Sequence, residues 1–235
     1  MGLSLRVEGL EVPGPDGRVL LRLDTLSLPA GARLGVRGPS GAGKSTFLYA
    51  IAGLMHGARG RVAWEDTDLL SLRTEARTRF RAETIGMIFQ DFLLFDELGP
   101  MANATLTAMF HPRRRRAPLR ARAASLLEQL GLPETPRPVA TFSGGERQRV
   151  AVARALAADA PVLLADEPTA SLHREAADRL IDDLAELARA RGTTLVAVSH
   201  DPALLERMDQ VITLQDGGLV PEDTVGAART ARETA

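Results

Sequence analysis

Cysteine is absent from the 235 residues. That excludes disulfides, thiolate zinc sites and cysteine nucleophiles, and it fits a reducing compartment. No run of 18 apolar residues occurs, so no segment is expected to span a membrane as a helix. Charge and glycine break the opening MGLSLRVEGLEVPG before it can form a signal-peptide core. A surplus of either charge is missing as well. The 29 basic and 30 acidic residues leave a formal charge of -1, which excludes a polybasic chain but not a local basic groove. Lysine is scarcest of all: Lys44 is the only one, and every other basic residue is arginine. A GC-rich genome replaces lysine wherever a generic cation suffices, so the position where lysine persists points to chemistry.

What remains is an ordinary globular composition, 45% hydrophobic and 25% charged, long enough for one large domain or a domain with a subdomain. Alternating apolar residues predict strands at 3–7 and 18–28, separated by turns at Pro13, Gly14, Pro15 and Gly17. A short strand, 32–37, runs into a glycine-rich loop, Gly38 to Gly43, and a helix follows over Lys44 to Leu54. Arg61 to Trp64 reads as an edge strand and Thr84 to Phe89 as a further strand. Between Phe89 and Pro161 the apolar spacing turns helical, and Pro112 with Arg113–Arg116 reads as an exposed loop interrupting it. That arginine run is either a solvated face or a contact for lipid headgroups or a partner subunit. Strands at 162–165 and 194–198, helices from Arg174 and Asp201, and a hairpin around Asp216-Gly217-Gly218 complete the pattern. The expectation is an α/β fold with an antiparallel front edge and a helical insert.

Gly38-Pro39-Ser40-Gly41-Ala42-Gly43-Lys44-Ser45 matches G-x-x-x-x-G-K-[ST], with a strand before it and a helix after it. Glycines let the backbone N–H groups turn inward onto phosphate oxygens. The helix N-terminus adds its positive end. Lys44 supplies a compact point charge that a guanidinium cannot imitate. Ser45 offers a hydroxyl to Mg²⁺, and Thr46 is placed for an α-phosphate. The strand Val162-Leu163-Leu164-Ala165 ends in Asp166-Glu167, where open α/β sheets put their sites. Asp166 is the expected Mg²⁺ ligand, through water, and Glu167 the residue that polarises attacking water.

Phe142-Ser143-Gly144-Gly145-Glu146-Arg147-Gln148-Arg149 resembles the signature motif of ATP-binding-cassette (ABC) ATPases. Gln90 then looks like the family's Q-loop glutamine, touching Mg²⁺ or water, and His200 like its switch histidine. Asp166-Glu167-Pro168-Thr169 looks like its second Walker motif. The resemblance runs from about residue 3 to residue 222. It implies a P-loop NTPase core at about 1–90 and 161–222, a helical subdomain at about 91–160, and a flexible tail over 223–235. It also implies Mg-ATP as the cofactor and head-to-tail pairing with a second cassette, identical or not. In that pairing Ser143, Gly144 and Gly145 cap the γ-phosphate held by the other subunit. No nucleic acid is expected as a partner.

The length resembles that of the short lipoprotein-release, macrolide-export and cell-division cassettes. Separate transmembrane permease subunits are implied, docking near Gln90–Leu98, where Phe89, Phe92, Leu93, Leu94, Phe95 and Leu98 cluster. The chain would then sit peripherally on the cytoplasmic face of the inner or plasma membrane, held by those subunits. A soluble cassette serving a cytoplasmic complex is the alternative. Two departures from the family pattern stand out. The D-loop reads Ala170-Ser171-Leu172-His173, with His where the family has Asp. No aromatic residue lies between Leu3 and Gly38 to stack on adenine, which leaves Val12, Val19 or the stem of Arg18.

Overall fold

The computed structural model describes residues 1–110, 112–132 and 137–220. The tail expected over 223–235 lies outside them. In chain order the strands are β1 (Leu5–Pro13), β2 (Val19–Leu28), β3 (Arg33–Arg37), β4 (Arg59–Trp64), β5 (Thr67–Asp68), β6 (Ile85–Ile88), β7 (Val162–Asp166), β8 (Thr194–Val198), β9 (Gln210–Gln215) and β10 (Gly218–Leu219). The helices are α1 (Lys44–Ile51), α2 (Thr74–Thr84), α3 (Pro100–Ala104), α4 (Arg113–Gln129), α5 (Gly144–Ala157), α6 (Arg174–Arg191) and α7 (Pro202–Leu205), with 3₁₀ turns at Leu106–Phe110 and Val139–Thr141.

Two sheets form. One is antiparallel, in the order β2-β1-β4-β5. The other runs β10-β9-β3-β8-β7-β6, and its strands from β9 to β6 are mutually parallel. Every residue of β7 and β8 is buried, as strands covered on both faces must be. Leu34, Val36, Phe47, Leu48, Ile51, Trp64 and Val196 are among the residues that fuse the two sheets and α1 into one core. A second cluster packs Leu180, Ile181, Leu184 and Ala188 of α6 against Leu163 and Leu195. A third joins α3, α4 and α5 through Leu119, Ala123, Leu126, Val150 and Ala153.

Four local expectations change. Arg113–Arg116 is not a loop but the start of α4. Pro112 is the extended N-cap, its carbonyl accepts from the Arg115 N–H at 2.8 Å, and unbranched arginines enter helices at little cost. Second, β4 is not an edge strand: it lies between β1 and β5, which is why Val62, Ala63 and Trp64 are all buried. Third, α1 stops at Ile51, ahead of the left-handed Gly53. Fourth, α2 had no sequence signal, because none of its residues is buried and it carries no apolar stripe.

Candidate functional site

The parallel order β3-β8-β7-β6 brings the C-terminal ends of four strands to one edge. The loops leaving that edge carry the glycine-rich segment, His200, Asp166 with Glu167, and Gln90. They line a single cleft of about 740 Å³, to which Ser40, Gly41, Gly43, Lys44, Ser45, Thr46, Gln90, Asp166, Glu167 and His200 all contribute.

The loop's curvature depends on particular glycines. Gly38 has φ 154°, and a Cβ there would lie 2.1 Å from the Leu214 carbonyl oxygen. Gly43 is the left-handed N-cap of α1 at φ 92°, a conformation that penalises any side chain. Lys44 is nearly buried. Its Nζ donates to the carbonyls of Gly38 at 2.8 Å and Pro39 at 3.0 Å, so the ammonium is held across the mouth of its own loop. Pro39 and Ala42 belong to the same turn, closed by the Ala42 N–H on the Pro39 carbonyl at 3.2 Å.

Asp166 is 1% exposed, and neither carboxylate oxygen has a hydrogen-bond partner. Burial pushes its carboxyl above the ordinary range, against the opposing pull of Ser45, Tyr49 and Lys44 nearby. A buried acid left unsatisfied is costly, and its chemistry suits a bound cation. The neighbouring donors, the Ser45 hydroxyl and Gln90 amide, are oxygen ligands suited to a hard ion. Among the described residues no group of three or more His, Cys, Asp or Glu forms a metal cage. A divalent ion here therefore needs substrate phosphate and water to complete its shell, the usual situation for Mg²⁺.

Glu167 takes a left-handed backbone at φ 46°, and its N–H is tied to the Val198 carbonyl at 2.9 Å. Its carboxylate lies 3.5 Å from His200 Nε2 and accepts from the His200 backbone N–H at 3.4 Å. The two loops are thus clasped, with the imidazole exposed.

Ser143, Gly144 and Gly145 do not line this cleft. Ser143 caps α5 in a capping box: its Oγ accepts from the Glu146 N–H at 3.3 Å, and the Glu146 carboxylate accepts from the Ser143 N–H at 2.8 Å. That backbone bond is the main reason the Glu146 carboxyl is held low, with help from the Ser143 side chain and Arg137. The glycines leave room for the next loop, since a Cβ on Gly145 would lie 3.2 Å from Leu172 Cδ2.

Sequence reasoning gave no role to Gln148, Arg174, Asp201 or Leu20. Gln148 is buried on α5. It donates to the Pro168 carbonyl and to that of Glu167 at 3.4 Å, and it accepts from the Ser171 N–H at 3.2 Å. It therefore fastens the Glu167–Ser171 loop to the signature helix. Its place in the Ser-Gly-Gly-Glu-x-Gln string was the available signal. Arg174 and Asp201 line the cleft and bond each other at 3.0 and 3.1 Å. Of the three platforms expected for a base, Val12 is fully buried, and Arg18 is exposed but does not line the cleft. Val19 is exposed but lines a neighbouring cavity with Arg22 and Gly217. Leu20 is 37% exposed and lines the cleft itself.

A family model described as ABC transporter matches residues 21–170. The uncharacterized ABC transporter ATP-binding protein YbbA of Escherichia coli (strain K12) is 41% identical over 84% of this chain and 86% of its own length. The lipoprotein-releasing system ATP-binding protein LolD of Syntrophus aciditrophicus (strain SB) is 40% identical over 86% of this chain and 90% of its own. Among solved structures, the dimeric post-hydrolysis state of the ATP-binding cassette MJ0796 bound to ADP and Pi superposes with a TM-score of 0.84. It covers 92% of this chain and 97% of that one at 30% identity.

Proposed function

The chain belongs to the ABC transporter ATP-binding family, and from that premise we propose that it hydrolyses ATP to drive separate transmembrane subunits. One observation supports this most: Lys44, Ser45, Gln90, Asp166, Glu167 and His200, scattered over more than 150 residues, line one cleft. In this reading the N–H groups of Gly38 to Gly43, with Lys44, neutralise the phosphates. Ser45, Gln90 and Asp166 would hold Mg²⁺, which when bound would supply positive charge to offset that on the phosphates. Thr46 contacts the α-phosphate. Glu167 orients water for attack, and His200 bonds the γ-phosphate or that water. Ser143, Gly144 and Gly145 lie outside the cleft of their own chain, so they are free to cap ATP on a second cassette. MJ0796 forms a dimer, and head-to-tail pairing gives each signature helix that use.

The core is then 1–90 with 161–222 and the helical subdomain 91–160. The permease docks near Gln90–Leu98. Leu93 and Phe95 are more than half exposed there. Phe92 and Leu93 take left-handed backbones, fixed from beneath by the buried Arg154, which donates to both carbonyls at 2.6 and 2.5 Å. The chain sits on the cytoplasmic membrane face through these contacts. LolD's name, a lipoprotein-releasing system, favours membrane partners over a soluble accessory role.

Phosphate release by the purified chain tests the enzymatic part. Turnover is expected with Mg-ATP and none with ATP in excess EDTA. Equal rates in the two conditions would remove the metal-assisted reading. A smaller effect probes the base platform. Leu20→Tyr is expected to tighten nucleotide binding about two- to tenfold, the worth of one added aromatic contact. Calorimetric titration with ADP measures it, and unchanged affinity would place the base elsewhere.

A further inference from the structure

We propose that the tip formed by Met109, Phe110 and Arg113–Arg116 binds anionic lipid directly, without a membrane-protein partner. Four arginines open α4, and no acid lies in its first turn. This reverses the preference of a helix N-terminus, where positive charge meets the positive end of the dipole. Arg113 and Arg116 also repel each other at i,i+3. The arrangement weakens the helix locally, so folding does not account for it.

Among the described residues no acid stands within ion-pair distance of Arg113, Arg114 or Arg115. Arg115 shares a cleft with Glu83 and Asp159, but Asp159 is already paired with Arg122 and Arg191. Arg116 reaches back to the Met109 carbonyl at 3.4 Å. That contact places the arginines beside the two large apolar side chains that, after Met1, are the most exposed among the described residues. Phe110 is 70% exposed and Met109 61%.

A phenyl ring and a thioether beside a cluster of guanidinium groups complement a bilayer surface. Apolar side chains enter the boundary between headgroups and acyl chains. Guanidinium groups pair with phosphates in a fork geometry, on stems long enough to stay at the interface. An acidic protein surface would answer the charge but not the exposed apolar pair. Outside these four arginines the chain carries net negative charge, so an anionic membrane repels the rest of the molecule and selects this tip. The inference does not rest on the transport reading.

Co-sedimentation of the purified full chain with vesicles tests it, using phosphatidylcholine alone or mixed with phosphatidylglycerol. Wild type is expected to bind the anionic vesicles only. Binding should collapse as salt rises from 0.1 to 1 M, where the screening length falls from about 10 to about 3 Å. The triple variant Arg113→Glu, Arg114→Glu, Arg115→Glu should lose at least on the order of a hundredfold in partitioning, since each arginine removed is worth about fivefold and each glutamate adds repulsion. Its melting temperature should hold or rise, because acids suit that helix end. Should the glutamates prevent folding, Arg→Gln at the same three positions carries the test. Phe110→Ser should weaken binding while keeping its salt dependence. Wild type that ignores anionic vesicles, or a triple variant that binds them as well as wild type, overturns the proposal. ATP turnover in the same samples reports separately on the enzymatic reading.

Discussion

Glu167→Gln should lower phosphate release by about 10²- to 10⁴-fold, the usual contribution of a positioned base, while ATP still binds. The expectation follows from where the carboxylate is held. Its residue leaves the end of β7 in a left-handed conformation, with its N–H on the Val198 carbonyl at 2.9 Å and its carboxylate clasped to the His200 loop. Gln148 braces the same loop from α5. The side chain is thus aimed, not free. An amide keeps the shape and the hydrogen-bond reach but cannot take a proton or orient water as an anion does. Nucleotide that binds and does not turn over should hold two cassettes together, so size-exclusion chromatography in Mg-ATP should show a dimer that wild type shows only transiently. A Glu167→Gln protein that turns over within a few-fold of wild type would remove Glu167 from the chemistry.

Asp166→Asn should reduce Mg-dependent turnover at least about a hundredfold, because it would remove the charge proposed to hold the metal. It should at the same time stabilise the metal-free fold at neutral pH. Neither oxygen of the buried wild-type carboxyl is in a hydrogen bond, and burial raises its titration, outweighing the pull of Ser45, Tyr49 and Lys44. Between the ordinary carboxylate range and the raised value, the folded chain holds a proton that the unfolded chain has lost. This group therefore lowers stability as pH rises through that window, and its penalty is fully present above the raised value. Asparagine removes the penalty. In EDTA at neutral pH the variant should melt above wild type, and the gap should close as pH falls toward about 4. Adding Mg-ATP should raise the melting temperature of wild type far more than that of the variant. If the variant melts lower in EDTA at every pH, Asp166 is a structural residue and not a metal-ready one.

The parts of the fold that repeat a strong local rule were legible in the sequence. β7 and β8 are each built on four consecutive apolar residues, 162–165 and 195–198, and the phosphate loop carries its own spacing. The convergence of Gln90, Asp166 and His200 was not legible from the residues alone, because it depends on which strands lie side by side. The parallel register that pairs Ala165 with Ile88 and Ala197 brings their loops together. The surface open to a base turns on one position: Val19 lines a neighbouring cavity, while Leu20 beside it lines the cleft. The start of α4 was misread because proline and four like charges look like a loop until Pro112 is seen as a cap. Gln148 was hidden for another reason. A polar residue on a helix reads as solvent-facing, and only the carbonyls of the Glu167 loop folded over it explain its burial.

The most direct test of the account is affinity purification of the tagged chain from native membranes in mild detergent, with the partners identified by mass spectrometry. A stoichiometric transmembrane protein together with a second cassette is the expected recovery. Recovery of soluble partners alone, with no membrane protein under several detergents, would contradict it and favour an accessory ATPase of a cytoplasmic complex.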